Sequence, residues 1–204
     1  GEEYQYSGPI TIDSSCILAA QAERNGQRTP STGEQLIISK STFRPVTLSA
    51  SPSKKYSASG SGTLTDGRIG TNNYKSGEWM GFRAPDVTAT IDLGESTPVS
   101  SLTFNALIAN EKWIFAPNKW EVATSTDGIT FTPVSDNAEY TSEVIISKSD
   151  SDTVKNGIIA YTATFSPVDA QYVRLTLVPE PSMPEWHDAA GQRAFVFIDE
   201  IAVN

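Results

Sequence analysis

The chain has 204 residues, a formal net charge of −9, one cysteine and one histidine. Such a length holds one main domain, or a domain with a fragment of another. The acidic balance, with no basic spot denser than Ser53–Lys55, argues against nucleic acid and against insertion into an anionic membrane. No apolar run reaches the roughly 18 residues of a membrane helix. A lone cysteine closes no internal disulfide, and one Cys with one His makes no conventional zinc site.

No apolar 3.6-residue period outlasts two turns, whereas short alternating runs recur between clusters of Gly, Pro, Ser, Thr, Asn and Asp, so an all-β protein is expected. In the first 45 residues, YSGPITID, CILAAQAE and EQLIISKS read as three strands. Three strands rarely bury a core alone, so residues 1–45 are expected to be the tail of a truncated small β domain. Arg44-Pro45 marks the boundary, and a second unit is expected over 46–204.

Within that unit, VTATIDL places Val87, Ala89, Ile91 and Leu93 on one face. LTFNALI does the same with Leu102, Phe104, Ala106 and Ile108, and YVRLTLV with Val173, Leu175 and Leu177. KWEVATSTDGITFTPV reads as a hairpin, Asp127-Gly128 turning between Trp120/Val122 and Phe131/Val134. Seven or eight strands with several long loops favour a two-sheet sandwich or jelly roll over a small barrel. The longest loops, Leu64 to Pro85 and Pro179 to Arg193, belong at the sheet ends, where function concentrates.

Enzymatic signatures are missing from the sequence: no G-x-S-x-G elbow, P-loop, dinucleotide fingerprint or H-E-x-x-H. Paired carboxylates of the glycosidase kind have candidates in Glu180, Glu185, Asp188, Asp199 and Glu200, yet acidic residues are common enough to cluster without catalytic need. The chain is therefore expected not to be an enzyme.

The segments LTDGRIGTNNYKSGEWMGF, TATIDLGESTPVSSL, WEVATSTDGITFTPV, AQYVRLTLV and FIDEIAV, in this order, resemble the discoidin or coagulation factor five/eight type C module, whose superfamily includes family 32 carbohydrate-binding modules. PEWHDAAGQRAFVFIDEI, with EWMGF and KWIFAP, is similar to the ending of accessory modules on bacterial β-hexosaminidases of the chitobiase type, and residues 3–40 resemble the small β domain preceding them. The resemblance implies a galactose-binding-like jelly-roll β-sandwich with an N-terminal partial β domain. It implies a non-catalytic carbohydrate-binding accessory module of a secreted, periplasmic or extracellular, glycoside hydrolase whose catalytic domain lies outside this chain. The alternative is a structural module that docks on that domain without binding sugar.

A sugar offers a C–H face and a rim of hydroxyls, so its site needs an aromatic plane and a few polar groups. Trp113, Trp186, His187, Tyr74, Trp79, Glu185, Arg193 and Asn110 are the candidates, for a galactose- or N-acetylglucosamine-type glycan. The competing reading is that tryptophans fill the core and the Trp186-His187 pair anchors its loop. Trp120, inside a strand, is assigned to the core. The resemblance also implies a structural calcium ion at Asp66, Thr71 and Glu200; the alternative is that Asp66 only caps its turn with Gly67.

Overall fold

The computed structural model describes residues 3–147 and 156–204. The strands are β1 (Cys16–Ala20), β2 (Glu23–Arg24), β3 (Gln27–Arg28), β4 (Thr32–Leu36), β5 (Val46–Leu48), β6 (Met80–Phe82), β7 (Val87–Ala109), β8 (Lys119–Ser125), β9 (Thr132–Pro133), β10 (Ala138–Ser147), β11 (Asn156–Val178) and β12 (Val196–Val203). Three short 3₁₀ turns, at Ser61–Thr65, Asn110–Lys112 and Ser135–Asn137, are the helical content among the described residues.

β7 and β11 each run 23 residues and pair antiparallel along both of their halves. At about 3.3 Å per residue a straight strand of that length would extend roughly 75 Å. A domain of about 160 residues has a radius of gyration near 15 Å, so both strands must turn a corner. The corner lies where the β7–β11 ladder shifts register, between Thr164 and Val168 and between Ala170 and Tyr172. One layer is β6-β12-β7-β11-β10, built on Leu102–Ala109 and Asn156–Phe165. The other is β5-β7-β11-β8-β9, built on Val87–Asp92 and Tyr172–Val178. The result is a two-layer antiparallel jelly-roll sandwich.

The alternating pattern does what period two requires: Val87, Ala89, Ile91 and Leu93 of one layer share a core with Leu102, Phe104 and Ala106 of the other. Burying each Leu, Ile or Phe is worth about 1.5–3 kcal/mol. The predicted hairpin forms between β8 and β9, with Gly128 at φ 71°. Trp120 is half-buried, edge-on to Phe104 and Tyr140. Beyond Ala106 the front layer is apolar on its outer face too: Leu107 and Ala109 are covered by Trp79, Ile114 and Phe197.

The N-terminal region differs from expectation. Residues 6–13 form no strand, while β1 pairs with β4 and β2 with β3, as two separate two-stranded sheets. EQLIISKS stops being a strand at Leu36, and residues 37–45 are bound to the sandwich instead. The Ile37 amide donates to Gly67 O, Lys40 to Val203 O and Phe43 to Thr65 O. Ser41 is fully buried; its Oγ donates to Ile201 O and accepts from the Val203 amide. Residues on the N-terminal side of the 45/46 boundary are thus bonded to the sandwich, Lys40 and Ser41 to β12 and Ile37 and Phe43 to the 65–67 turn.

Candidate functional site

At one end of the sandwich two loops meet. The 179–195 loop folds on itself through Met183 N to Gln192 O, Gly191 N to Met183 O and Ala194 N to Glu180 O. It buries Met183, Ala189 and Ala194 against the half-buried Trp113 and Phe115 of the other loop. The two are stitched by Phe195 N to Trp113 O and Phe115 N to Phe195 O. Trp113 closes the Asn110–Lys112 turn in the left-handed region, φ 68°, uncommon for a bulky side chain. Its ring lies under the Arg83 guanidinium, 4.8 Å away.

His187 and Trp186, rings edge-on 5.7 Å apart and both against Phe115, differ in burial. His187 is buried, Nδ1 accepting from the Ala189 amide at 3.0 Å, which leaves Nε2 to donate to Asn110 O at 2.8 Å. Trp186 is 61% exposed and stacks on Phe115, ring centroids 6.2 Å apart and planes 30° from parallel. It is the common wall of two depressions. One, of about 420 Å³, lies towards Phe115, Glu180 and Pro184. The other, of about 620 Å³, is walled by Asn72, Tyr74, Asn110 and Trp186, with Leu107 and Ala109 below.

Of the sequence candidates, Trp186, Tyr74 and Asn110 converge on the larger groove. Three are corrected. His187 has both ring nitrogens engaged within the protein and is an anchor for its loop, not a group facing ligand. Trp79 is 2% exposed, its Nε1 donating to Thr71 O at 2.8 Å, and belongs to the core. Arg193 reaches Pro85 O and borders neither depression. Trp113 stands behind His187, with ring centroids 6.3 Å apart, as support. Glu185 is exposed beside Trp186 without lining either depression. Sequence reading missed Asn72 and Phe115. The first sits among polar loop residues that carry no period, and the second lies in a short apolar run that Trp113 dominates.

The predicted metal residues lie on the 66–78 loop and β12. The buried Glu200 accepts from the Gly67 amide at 2.9 Å through Oε2, while its Oε1 has no partner. The neighbouring Asp199, also buried and outside the expected metal set, accepts from the Gly70 amide at 2.7 Å. Burial pushes the Asp199 carboxyl up to about 7. Burial, with Asp66 and Asp199 adding like charge, pushes Glu200 up to about 8. Asp66 does cap its turn, Oδ1 accepting from the Arg68 amide. Thr71 is exposed, and its amide and hydroxyl both donate to Glu78, a partner the sequence did not indicate. Among the described residues no three His, Cys, Asp or Glu side chains assemble as a metal group, so backbone oxygens would have to complete any shell. The orphaned Glu200 oxygen beside a second carboxylate does fit a hard cation.

Among solved structures the chain is similar to chitosan-binding module 1 of a chitosanase/glucanase from Paenibacillus sp. IK-5, at 16% identity over 82% of this chain and 98% of that one, TM-score 0.47. It is also similar to CpGH89CBM32-5 from Clostridium perfringens, solved in complex with GalNAc-beta-1,3-galactose, at 16% identity over 79% and 94% of the two chains, TM-score 0.45. A third is the CBM32 of AlyQ in complex with 4,5-unsaturated mannuronic acid, at 15% identity over 78% and 93%, TM-score 0.42. No curated protein matches the chain. The sequence model of the F5/8 type C domain matches residues 47–194, which takes in the strands from β6 to β11 and nearly all of the loop that carries Trp186. The chain belongs to the F5/8 type C domain family.

Proposed function

We propose that this chain is a non-catalytic carbohydrate-binding accessory module, serving a secreted glycoside hydrolase of the β-hexosaminidase or chitobiase type in the periplasm or outside the cell, on galactose- or N-acetylglucosamine-type glycans. The observation that carries the reading is Trp186: a large ring 61% exposed, held in place by Phe115, with polar groups and an apolar floor in the depression beside it. An aromatic plane next to hydrogen-bonding groups matches the two surfaces of a pyranose. Asp199 and Glu200, the acids with the strongest perturbation, accept from the Gly70 and Gly67 amides, line neither depression and serve structure. Titration of the chain with galactose, N-acetylgalactosamine and N-acetylglucosamine, followed by tryptophan fluorescence and NMR, tests the reading. Micromolar to millimolar binding that Trp186→Ala abolishes supports it, and a flat response to all three sugars overturns it.

A calcium ion held by Glu200 and Asp66 with backbone oxygens of the 66–71 loop belongs to the same proposal. It would supply charge neutralisation for the buried carboxylates and would hold that loop in place. A second reading, docking on the catalytic domain, is favoured by the β1–β4 sheet. Ile17 and Leu18 lie on opposite faces of β1 and are 75% and 44% exposed, an arrangement suited to a neighbour on each side. Deleting the module from the full enzyme should then lower its melting temperature; an unchanged value rejects docking.

A further inference from the structure

Three side-chain atoms at the larger groove are buried without a hydrogen-bond partner: Nδ2 and Oδ1 of Asn72, and Oδ1 of Asn110. Asn110 is 6% exposed and its backbone is fixed, since Asn110 O accepts from both Trp113 N and His187 Nε2. An unpaired buried amide group stands about 1–3 kcal/mol above a paired one. Swinging the Asn72 carboxamide into the groove breaks no hydrogen bond, so an entering ligand recruits both of its polar atoms without competition from a protein partner.

The rest of the groove narrows the ligand. Asn73 and Asn156 also line it, so four asparagines share the groove with Trp186 and Tyr74, and among its described lining residues the charges, Glu111 and Lys112, are adjacent and opposite in sign. Neither a carboxylate nor an ammonium on the ligand would meet a net local countercharge there, and a carboxylate would also be repelled by a chain of net charge −9. A neutral group with one donor and one acceptor in a plane is what a carboxamide pairs with on both of its atoms. Leu107 and Ala109 below offer a seat for a methyl group.

Resting on the carbohydrate-binding reading above, we propose that the groove beside Trp186 is an acetamido subsite: it selects sugars carrying an N-acetyl group, which Asn72 pairs with and Asn110 supplements, over the same sugars bearing a hydroxyl, a free amine or a carboxylate. The sugar ring rests on Trp186 and its acetamido group points to Asn72.

Isothermal titration and NMR on the whole chain test this with N-acetylgalactosamine against galactose, galactosamine and galacturonic acid, and with N-acetylglucosamine against glucose. The acetamido sugars should bind about tenfold or more tightly than their counterparts, the size of one well-made hydrogen-bonded pair. Asn72→Leu, of similar size but without polar atoms, should erase that preference, so that N-acetylgalactosamine binds no more tightly than galactose. In the native protein the Asn72 side-chain amide resonances should shift with N-acetylgalactosamine and not with galactose, a readout that needs no variant. Equal affinity for galactose and N-acetylgalactosamine overturns the subsite and leaves the carbohydrate-binding module standing. Preference for the free amine or the carboxylate also overturns it. Binding of none of these sugars overturns both.

Discussion

Replacing His187 by Ala deletes one of the two donors to Asn110 O, which keeps its bond from Trp113 N, and the acceptor of the buried Ala189 amide, which is left without a partner. At about 1–3 kcal/mol for an unsatisfied buried group, urea unfolding should show a loss of about 1–3 kcal/mol. Trp186→Ala removes a mostly exposed ring and should change stability by no more than about 0.5 kcal/mol, while sugar titration loses its response. The pair separates anchor from ligand contact: equal stability losses in both variants would mean that Trp186 is structural after all. Both residues are conspicuous in the sequence as aromatic groups in a polar loop, but which one faces water was not legible. That is decided by the Asn110 carbonyl, 77 residues away in sequence. Gly70 shows the same limit. A Cβ there would lie 2.5 Å from the Trp79 ring, and only the folded loop reveals that Trp79 is its floor.

Elements were read most securely where one face is wet and the other dry. VTATIDL and YVRLTLV alternate because each packs one side on the core, and the structure buries the expected members. The alternation does not say that β7 continues through a corner from one layer to the other, since a bend leaves the period unchanged. Nor does it reveal the outer apolar face at Leu107 and Ala109, which depends on loops covering it. The 66–78 loop is tied to β12 by the Gly67 and Gly70 amides on Glu200 and Asp199, and this link has a pH signature. Both carboxyls hold protons in the folded state that the unfolded chain releases near pH 4. The stability they contribute is therefore complete below about pH 4 and is lost as pH rises through about 7 and 8. In chelator, the melting temperature should fall between pH 5 and pH 9, and Glu200→Gln should flatten the fall. Calcium should restore stability at the alkaline end, where the carboxylates are free of protons. A melting temperature independent of pH, or indifferent to calcium at pH 9, would count against the paired-carboxylate account.

At the scale of the whole molecule, the sandwich class was legible from strand spacing and turn chemistry, but where the packed body starts was not. Ser41 ends EQLIISKS, a run that reads as a strand of a truncated domain, and its role appears only when its hydroxyl is seen bridging Ile201 O and Val203 N. Two shortened chains separate these views. Removing residues 1–36 breaks the exposed β1–β4 sheet and its ties to the rest of the chain, the Leu36–Arg68 bridge, the Arg68–Glu34 ion pair and the two exposed Ser15–Ile38 hydrogen bonds, contacts of small worth in water. Removing 1–45 takes away in addition the bonds from Ile37, Lys40, Ser41 and Phe43 to Gly67, Val203, Ile201 and Thr65. At about 0.5–1.5 kcal/mol net for each bond, the chain starting at 46 should be less stable than the one starting at 37 by about 3 kcal/mol or more. With roughly 2–4 °C per kcal/mol for a domain of this size, that is a difference of at least about 6 °C in calorimetry. Ser41→Ala in the chain starting at 37 should reproduce part of this loss, because it removes the hydroxyl's two bonds to β12 and the one it shares with Ser39 Oγ and leaves the rest of the segment in place. Identical melting of the two shortened chains would restore the boundary to residue 46 and make the 37–45 segment a passive strap on β12.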